Sequence, residues 1–282
     1  STLRTVLEGD LDECAGVLRN RWRWSFRKLA TIRKLGGETL WKEGIRAYLA
    51  CTSYVDDQLG RVLDALESSP YADNTIIVFT SDHGYHLGEK ANMQKWHLWD
   101  ESTRVPLFIH VPEGAGNGQS CEHPVSVVDL YPTLADLCGL SPDPNKNGSK
   151  KPLDGHSLRP FLENPETDLW DGPSVAYMAI GRSHEDAEGW SIGPHHSVCS
   201  HRYRYTLCGH GEEELSDHEN DPNEWTTLAA HPEYAGTKDE LRQALVDMRN
   251  TGTNTGSVKH DLKWNSKNRH RFINGRGLCG SR

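Results

Sequence analysis

Thr75-Ile76-Ile77-Val78-Phe79-Thr80-Ser81-Asp82-His83-Gly84-Tyr85-His86-Leu87-Gly88-Glu89-Lys90 is the stretch on which the reading of this chain turns. Its first six residues form a continuous apolar, β-branched run, the pattern of a strand buried on both faces in a parallel sheet. Pro70 and the turn-like Ala72-Asp73-Asn74 precede it. Before them Ile45, Tyr48, Leu49, Thr52, Val55, Leu59, Val62, Leu63 and Leu66 recur at steps of three and four. That spacing predicts a helix over about 42–68 with one buried stripe. All 14 prolines lie at Pro70 or later, which extends the helical reading over most of residues 1–69. A helix followed by a buried strand points to α/β layering.

Beyond this stretch, Val105-Pro106-Leu107-Phe108-Ile109-His110-Val111 reads as a second such strand, closed by Pro112 and the Gly114–Gly118 loop. Asp129 to Gly139 reads as a helix with Pro132 in its first turn and a glycine stop. Ser141 to Pro152 reads as a surface loop. Ser174 to Ile180 and Arg202 to Cys208 are expected as strands, and Lys238 to Arg249 as a last helix. The expected organisation is an α/β core portion over 1–172, a small sheet with a helix packed on it over 173–249, and a tail over 250–282. That tail is rich in Lys and Arg, has Asp261 as its one acid, and is expected to be disordered.

Composition narrows the class. The chain has 282 residues, 31 Lys plus Arg against 40 Asp plus Glu, and a net charge of -9. A globally basic nucleic-acid binder is excluded, and no nucleic-acid partner is expected. No apolar run approaches the roughly 20 residues that a spanning helix needs. Arg19, Arg21, Arg23, Arg27, Lys28, Arg33 and Lys34, interleaved with Trp22, Trp24 and Phe26, read as a solvated helix face with aromatics turned inward. Seven cysteines, odd in number and without close spacing, read as reduced or structural thiols. The first residues lack a basic-then-apolar signal, so the chain is expected to begin inside a longer protein or after processing.

The chemistry concentrates where the first strand ends, because open α/β sheets place ligands beyond the carboxyl ends of their strands. Asp82 and His83 there could ligate a divalent cation, with Gly84 letting the backbone turn; an ordinary Asx-turn gives the same three residues. His86, Glu89, Lys90, Lys95 and His97 follow within fifteen residues, and then Arg104. Cations around such a cleft suit an anionic ester, whose oxygens gain charge during transfer. Taken singly, His86, Lys90 and Arg104 read as loop charges or salt-bridge partners.

From Tyr48 to Leu140 the chain closely resembles the type I sulfatases, most of all the iduronate-2-sulfatase-like enzymes. The residues that carry this are Tyr48-Leu49-Ala50, Tyr54-Val55-Asp56-Asp57-Gln58-Leu59-Gly60-Arg61-Val62-Leu63, Ser81 to Lys90, Lys95-Trp96 and Arg104-Val105-Pro106-Leu107. Asp154-Gly155-His156-Ser157-Leu158, Glu214-Leu215-Ser216-Asp217 and Asn220-Asp221-Pro222-Asn223-Glu224-Trp225 resemble later parts of the same family. The resemblance implies part of an alkaline-phosphatase-like three-layer α/β/α core with a smaller C-terminal α+β subdomain, and hydrolysis of sulfate esters on sulfated carbohydrate. It implies Asp82 and His83 as ligands of Ca²⁺ and Lys95 on the substrate sulfate; His86 and His97, from the strand-end cluster, stand beside them as possible substrate contacts. A nitrogen donor is unusual for Ca²⁺, and the residues alone equally permit Mg²⁺ or Mn²⁺. A periplasmic or secreted location is the resemblance's leaning, with the sequence itself silent on compartment.

One departure matters. The family's nucleophile is made from the Cys or Ser of a C-x-P-S-R motif, and none of the seven cysteines here begins that pattern. The family's first metal-binding aspartates and its Lys/His substrate pairs are also absent. The chain therefore resembles the C-terminal half of a sulfatase, with no nucleophile of its own and a missing N-terminal half as the expected partner. Two other readings stand beside it: a phosphoester hydrolase of the same superfamily, and a catalytically inactive module that keeps a carbohydrate-binding surface.

Overall fold

A computed structural model describes residues 23–141, 153–180, 194–209, 211–251 and 277–278. The loop expected at 141–152 and the tail expected at 250–282 fall almost wholly outside these residues, as do Arg19, Arg21 and Trp22 of the basic and aromatic cluster near the N-terminus.

Helix α1 (Arg23–Glu67) covers the helical stretch expected from the proline-free region and continues further toward the N-terminus than its strongest periodicity. Gly37, at φ 58°, breaks its regularity, a left-handed conformation that glycine adopts without penalty. The expected buried stripe is the first correction. Among the described side chains of α1 only Trp41 is buried, packing with Ala91 against Ile32, Ile45 and Met93. Tyr48, Leu49, Val55, Val62 and Leu63 are exposed. Periodicity shows that a helix has an apolar face; it does not supply the surface that covers it, and among the described residues that cover is partial, with Ile45 against the Trp41 cluster and Tyr48 against the Tyr85 ring at 5.4 Å.

The second correction concerns the two strands. β1 (Ile77–Thr80) and, after the short pair β2 (His86–Leu87) and β3 (Met93–Gln94) and the one-turn helix α2 (Asp100–Thr103), β4 (Leu107–His110) pair antiparallel, with Phe79 opposite Phe108. Both are half-buried, and Phe108 remains 65% exposed. An apolar run reports a strand that can be covered on two faces, but strand direction is set by the connection, and here the connection leads back beside β1.

β5 (Val125–Ser126) leads through a single 3₁₀ turn into α3 (Leu130–Leu137). Ser126 and Asp129 form a reciprocal capping box. Gly139 at φ 63° ends the helix where the sequence places its stop. The Asp129 carboxylate also accepts the His156 N–H at 2.9 Å, and Thr133 Oγ1 accepts the Leu158 N–H at 2.8 Å, so the 154–158 loop is pinned to the start of α3. α4 (Arg159–Glu163) follows.

The remainder is a four-stranded antiparallel sheet, β6 (Ala176–Ile180), β7 (His195–Cys199), β8 (Tyr203–Leu207) and β9 (Glu213–Asp217), in sequential order, with α5 (Ala235–Thr251) packed on β7 and β8. Its core is Val175, Val198, Tyr205, Leu215, Leu241 and Leu245. β6, β8 and α5 answer the expected elements; β7 and β9 were not anticipated. β7 reads His-His-Ser-Val-Cys, and its polar residues conceal a strand buried along its whole length. Cys199 on it is disulfide-bonded, which corrects the reading of the cysteines as reduced or structural thiols at this position. β10 (Gly277–Leu278) pairs with β5.

Candidate functional site

The site forms where the chain leaves β1. Gly84 donates its N–H to the Ser102 carbonyl at 3.0 Å, and a Cβ at Gly84 would lie 2.1 Å from the Glu101 carbonyl oxygen. The glycine is therefore required by close backbone approach to α2, rather than by the sharp turn expected from the sequence.

Next to it, His83 Nδ1 lies 2.8 Å from the Gly84 carbonyl oxygen. A carbonyl only accepts, so Nδ1 carries the proton and Nε2 presents its lone pair. Lys95 Nζ donates a hydrogen bond to that Nε2, and an Asp82 carboxylate oxygen lies 3.5 Å from it. Asp82, His83 and Lys95, separated by up to thirteen positions, thus converge on one point at the end of β1. Asp82 is exposed and His83 and Lys95 half-buried, so the point is open to solvent.

The donor chemistry fits part of a divalent-cation site. A neutral imidazole nitrogen with its tautomer fixed by a carbonyl partner, beside a carboxylate, is how metal-ligating histidines are prepared. It is only part of one: among the described residues no group of three or more His, Cys, Asp or Glu side chains is placed to hold a metal ion.

The other cationic residues go elsewhere. His86 and His97, possible substrate contacts from their place in the strand-end cluster, are buried; His86 has 0% exposure and neither of its ring nitrogens has a hydrogen-bond partner. Burial pushes its pKa down to about 4, so it is a neutral interior side chain. The His97 ring stacks on Trp99 at 3.8 Å, inside the fold. Neither position fits a substrate contact, because β2 and the 97–99 segment turn these rings into the interior. Arg104 pairs with Asp100 at 2.8 Å, one helical turn away.

Lys90 is interior too, and leads to an ionic hub that spacing could not reveal. Its ammonium donates to the Glu224 carbonyl oxygen and lies 5.4 Å from the Trp99 ring. The Glu224 carboxylate accepts from Arg204 Nε at 2.6 Å and from the Asp100 N–H at 2.9 Å, and His218 Nε2 lies 2.8 Å away. Arg204 reaches Asp100 at 2.8 Å and the Leu98 carbonyl at 3.0 Å. Burial alone would raise the Glu224 pKa; Arg204 and His218 outweigh it and hold the carboxylate well below the usual range. The hub ties 90–104, which carries Lys95, to β8 and the loop after β9. Asn220 to Trp225 stands in the sequence as a family-like motif, but its partner Arg204 lies in a strand that carries no signal of charge pairing.

From the other side, Trp41 Nε1 donates to the Leu87 carbonyl at 2.5 Å. Gly88, at φ 138°, meets the Trp41 ring so closely that a Cβ would lie 2.5 Å from it. The segment bearing Lys95 is thus held between α1 and the C-terminal sheet.

Two family descriptions match the chain: Sulfatase over residues 18–140, and N-sulphoglucosamine sulphohydrolase, C-terminal, over residues 88–251. A sulfatase of Formosa agariphila is 40% identical over 210 residues, covering 74% of this chain and 37% of its own length. Iduronate 2-sulfatase of Mus musculus is 40% identical over 209 residues, covering 57% of this chain and 37% of its own. A solved structure in complex with its substrate D-glucosamine-2-N,6-O-disulfate superposes with a TM-score of 0.65 at 28% identity, covering 82% of this chain and 46% of that one. The chain thus spans less than half the length of these proteins, and its α/β fold is that of the alkaline-phosphatase-like sulfatases. With a family match running through both the Lys95-bearing segment and the C-terminal sheet, this chain belongs to the sulfatase family.

Proposed function

We propose that the chain carries part of the site of a sulfuric ester hydrolase acting on sulfated carbohydrate, with the nucleophile supplied from outside these 282 residues. The observation that carries this reading is the meeting of Lys95 Nζ, His83 Nε2 and the Asp82 carboxylate at the open end of β1. Lys95 is the substrate-facing group: its ammonium neutralises charge that grows on the ester oxygens as the sulfuryl group is transferred. The Gly84 carbonyl fixes the His83 ring so that Nε2 faces the same point. Asp82 and His83 would hold a divalent cation, Ca²⁺ by family resemblance with Mg²⁺ or Mn²⁺ as alternatives, which would polarise the ester when bound. Residues 1–172 serve as the portion of the core that bears the site, and 173–249 as the subdomain that braces it.

The chain has no C-x-P-S-R motif, so it has no attacking group of the family's kind. Aryl sulfate turnover by the homogeneous chain is therefore expected to be absent, and to appear when a sulfatase N-terminal half bearing that motif is fused or co-expressed. Turnover of a phosphate monoester without the sulfate ester would favour the phosphoester reading. Binding of a sulfated sugar with no turnover after complementation would favour an inactive module. Robust sulfate hydrolysis by the chain alone, abolished by Asp82→Ala, would overturn the proposal.

A further inference from the structure

The segment that carries Lys95 has an unusual backbone. Of the six non-glycine residues at positive φ among the described residues, four fall between 90 and 96: Lys90, Ala91, Gln94 and Trp96. Gln94 at 99° and Trp96 at 80° flank Lys95 on both sides. A bulky side chain at positive φ is a true outlier, and such conformations persist only where the surroundings over-determine them, commonly at ligand clamps. Here the surroundings are the interior stack of His97 on Trp99 and the β2–β3 pairing.

The strain holds a large aromatic side chain partly in water. Trp96 is 47% exposed, whereas Trp41 and Trp99, on either side of the same segment, are buried. Trp225 is comparably exposed but adjoins Glu224 of the ionic hub. Trp96 adjoins the residue whose ammonium marks the open point at β1, and consecutive Cα atoms stand about 3.8 Å apart. A pyranose presents an apolar face of C–H groups and a polar rim, and an indole is a rigid, wide surface that can cover that face.

We infer that Trp96 is a specificity-determining residue, the aromatic surface on which the ring of a sulfated sugar rests while its sulfate is held at Lys95. The inference rests on the sulfate-ester reading of the Asp82–His83–Lys95 group and adds to it the recognition of the sugar, which Lys95 cannot provide.

Calorimetric titration of the chain complemented with a sulfatase N-terminal half, the cysteine of its C-x-P-S-R motif replaced by alanine so that the ester is not turned over, with N-acetylglucosamine 6-sulfate and, separately, with inorganic sulfate tests it. Trp96→Ala is expected to weaken the sugar sulfate about tenfold, to leave inorganic sulfate unchanged, and to leave the melting temperature unchanged. Trp96→Tyr should recover most of the loss, and Lys95→Ala should weaken both ligands. Equal weakening of both ligands by Trp96→Ala, or an unaltered sugar affinity, would overturn the inference while leaving the sulfate site intact. If the complemented protein, with Lys95 and Trp96 in place, binds neither ligand, the sulfate-ester reading fails and this inference falls with it.

Discussion

At the scale of single residues, the interior is charged and finely balanced, and two predictions follow from it. His86 is neutral in the folded chain because burial depresses its pKa from 6.5 to about 4, and His196 is depressed to about 4 by burial and by Arg249. Between those pH values the unfolded chain takes up protons that the native state refuses. Stability therefore falls as pH drops from 6.5 toward 4, by up to about 3 kcal/mol per histidine. Urea unfolding at pH 7 and pH 4.5 should show this loss, and His86→Phe should remove part of it; an unchanged pH dependence in that variant would mean that His86 is not its source. Arg204 is the second case. Arg204→Leu leaves the Glu224 carboxylate buried without its main cation and should cost about 3–5 kcal/mol. Adding Glu224→Leu should cost much less than the two single losses summed, a non-additivity that a double-mutant cycle measures.

At the scale of elements, the site depends on how tightly the 84–96 segment is gripped. Gly88→Ala forces a Cβ into the Trp41 ring at a backbone conformation that alanine resists, and should destabilise by about 1–3 kcal/mol. In a Trp41→Ala background the clash is gone and only the backbone penalty remains, so the increment measured by thermal unfolding should shrink. Elements of this kind were unevenly legible in the sequence. α1, β1, β4 and α3 announce themselves by periodicity, apolar runs, Pro132 and Gly139. Asp82, His83 and Lys95 were legible as a group only through the family resemblance, since spacing alone allows an Asx-turn and a solvated lysine. What the sequence hid is what depends on a partner distant in the chain. Lys90 reads as a loop cation but meets Glu224, 134 residues away; His86 and His97 read as substrate contacts but face inward. β1 and β4 read as parallel because an apolar run is silent about direction, and the stripe on α1 reads as buried because a pattern is silent about what lies opposite.

At the scale of the whole molecule, the chain spans 37% of the length of a relative, and the exposed face of α1 and the half-covered β1–β4 pair leave apolar surface open. Uncovered apolar residues and strand edges favour association, so light scattering of the isolated chain should show oligomers or aggregates; a well-behaved monomer at high concentration would count against a partner-dependent fold. Metal affinity belongs to the same scale. Hard divalent cations want six or more donors, and the two placed here should bind Ca²⁺ only weakly; tight stoichiometric binding by calorimetry would mean that a further local acid completes the site. The central claim is that Lys95 holds the sulfate, and the steady-state kinetics of Lys95→Ala in the complemented protein test it most directly. The account expects kcat/KM for an aryl sulfate to fall by about 3 kcal/mol, roughly a hundredfold, with the melting temperature unchanged. A near-normal kcat/KM, or a loss explained by a lower melting temperature, would contradict it.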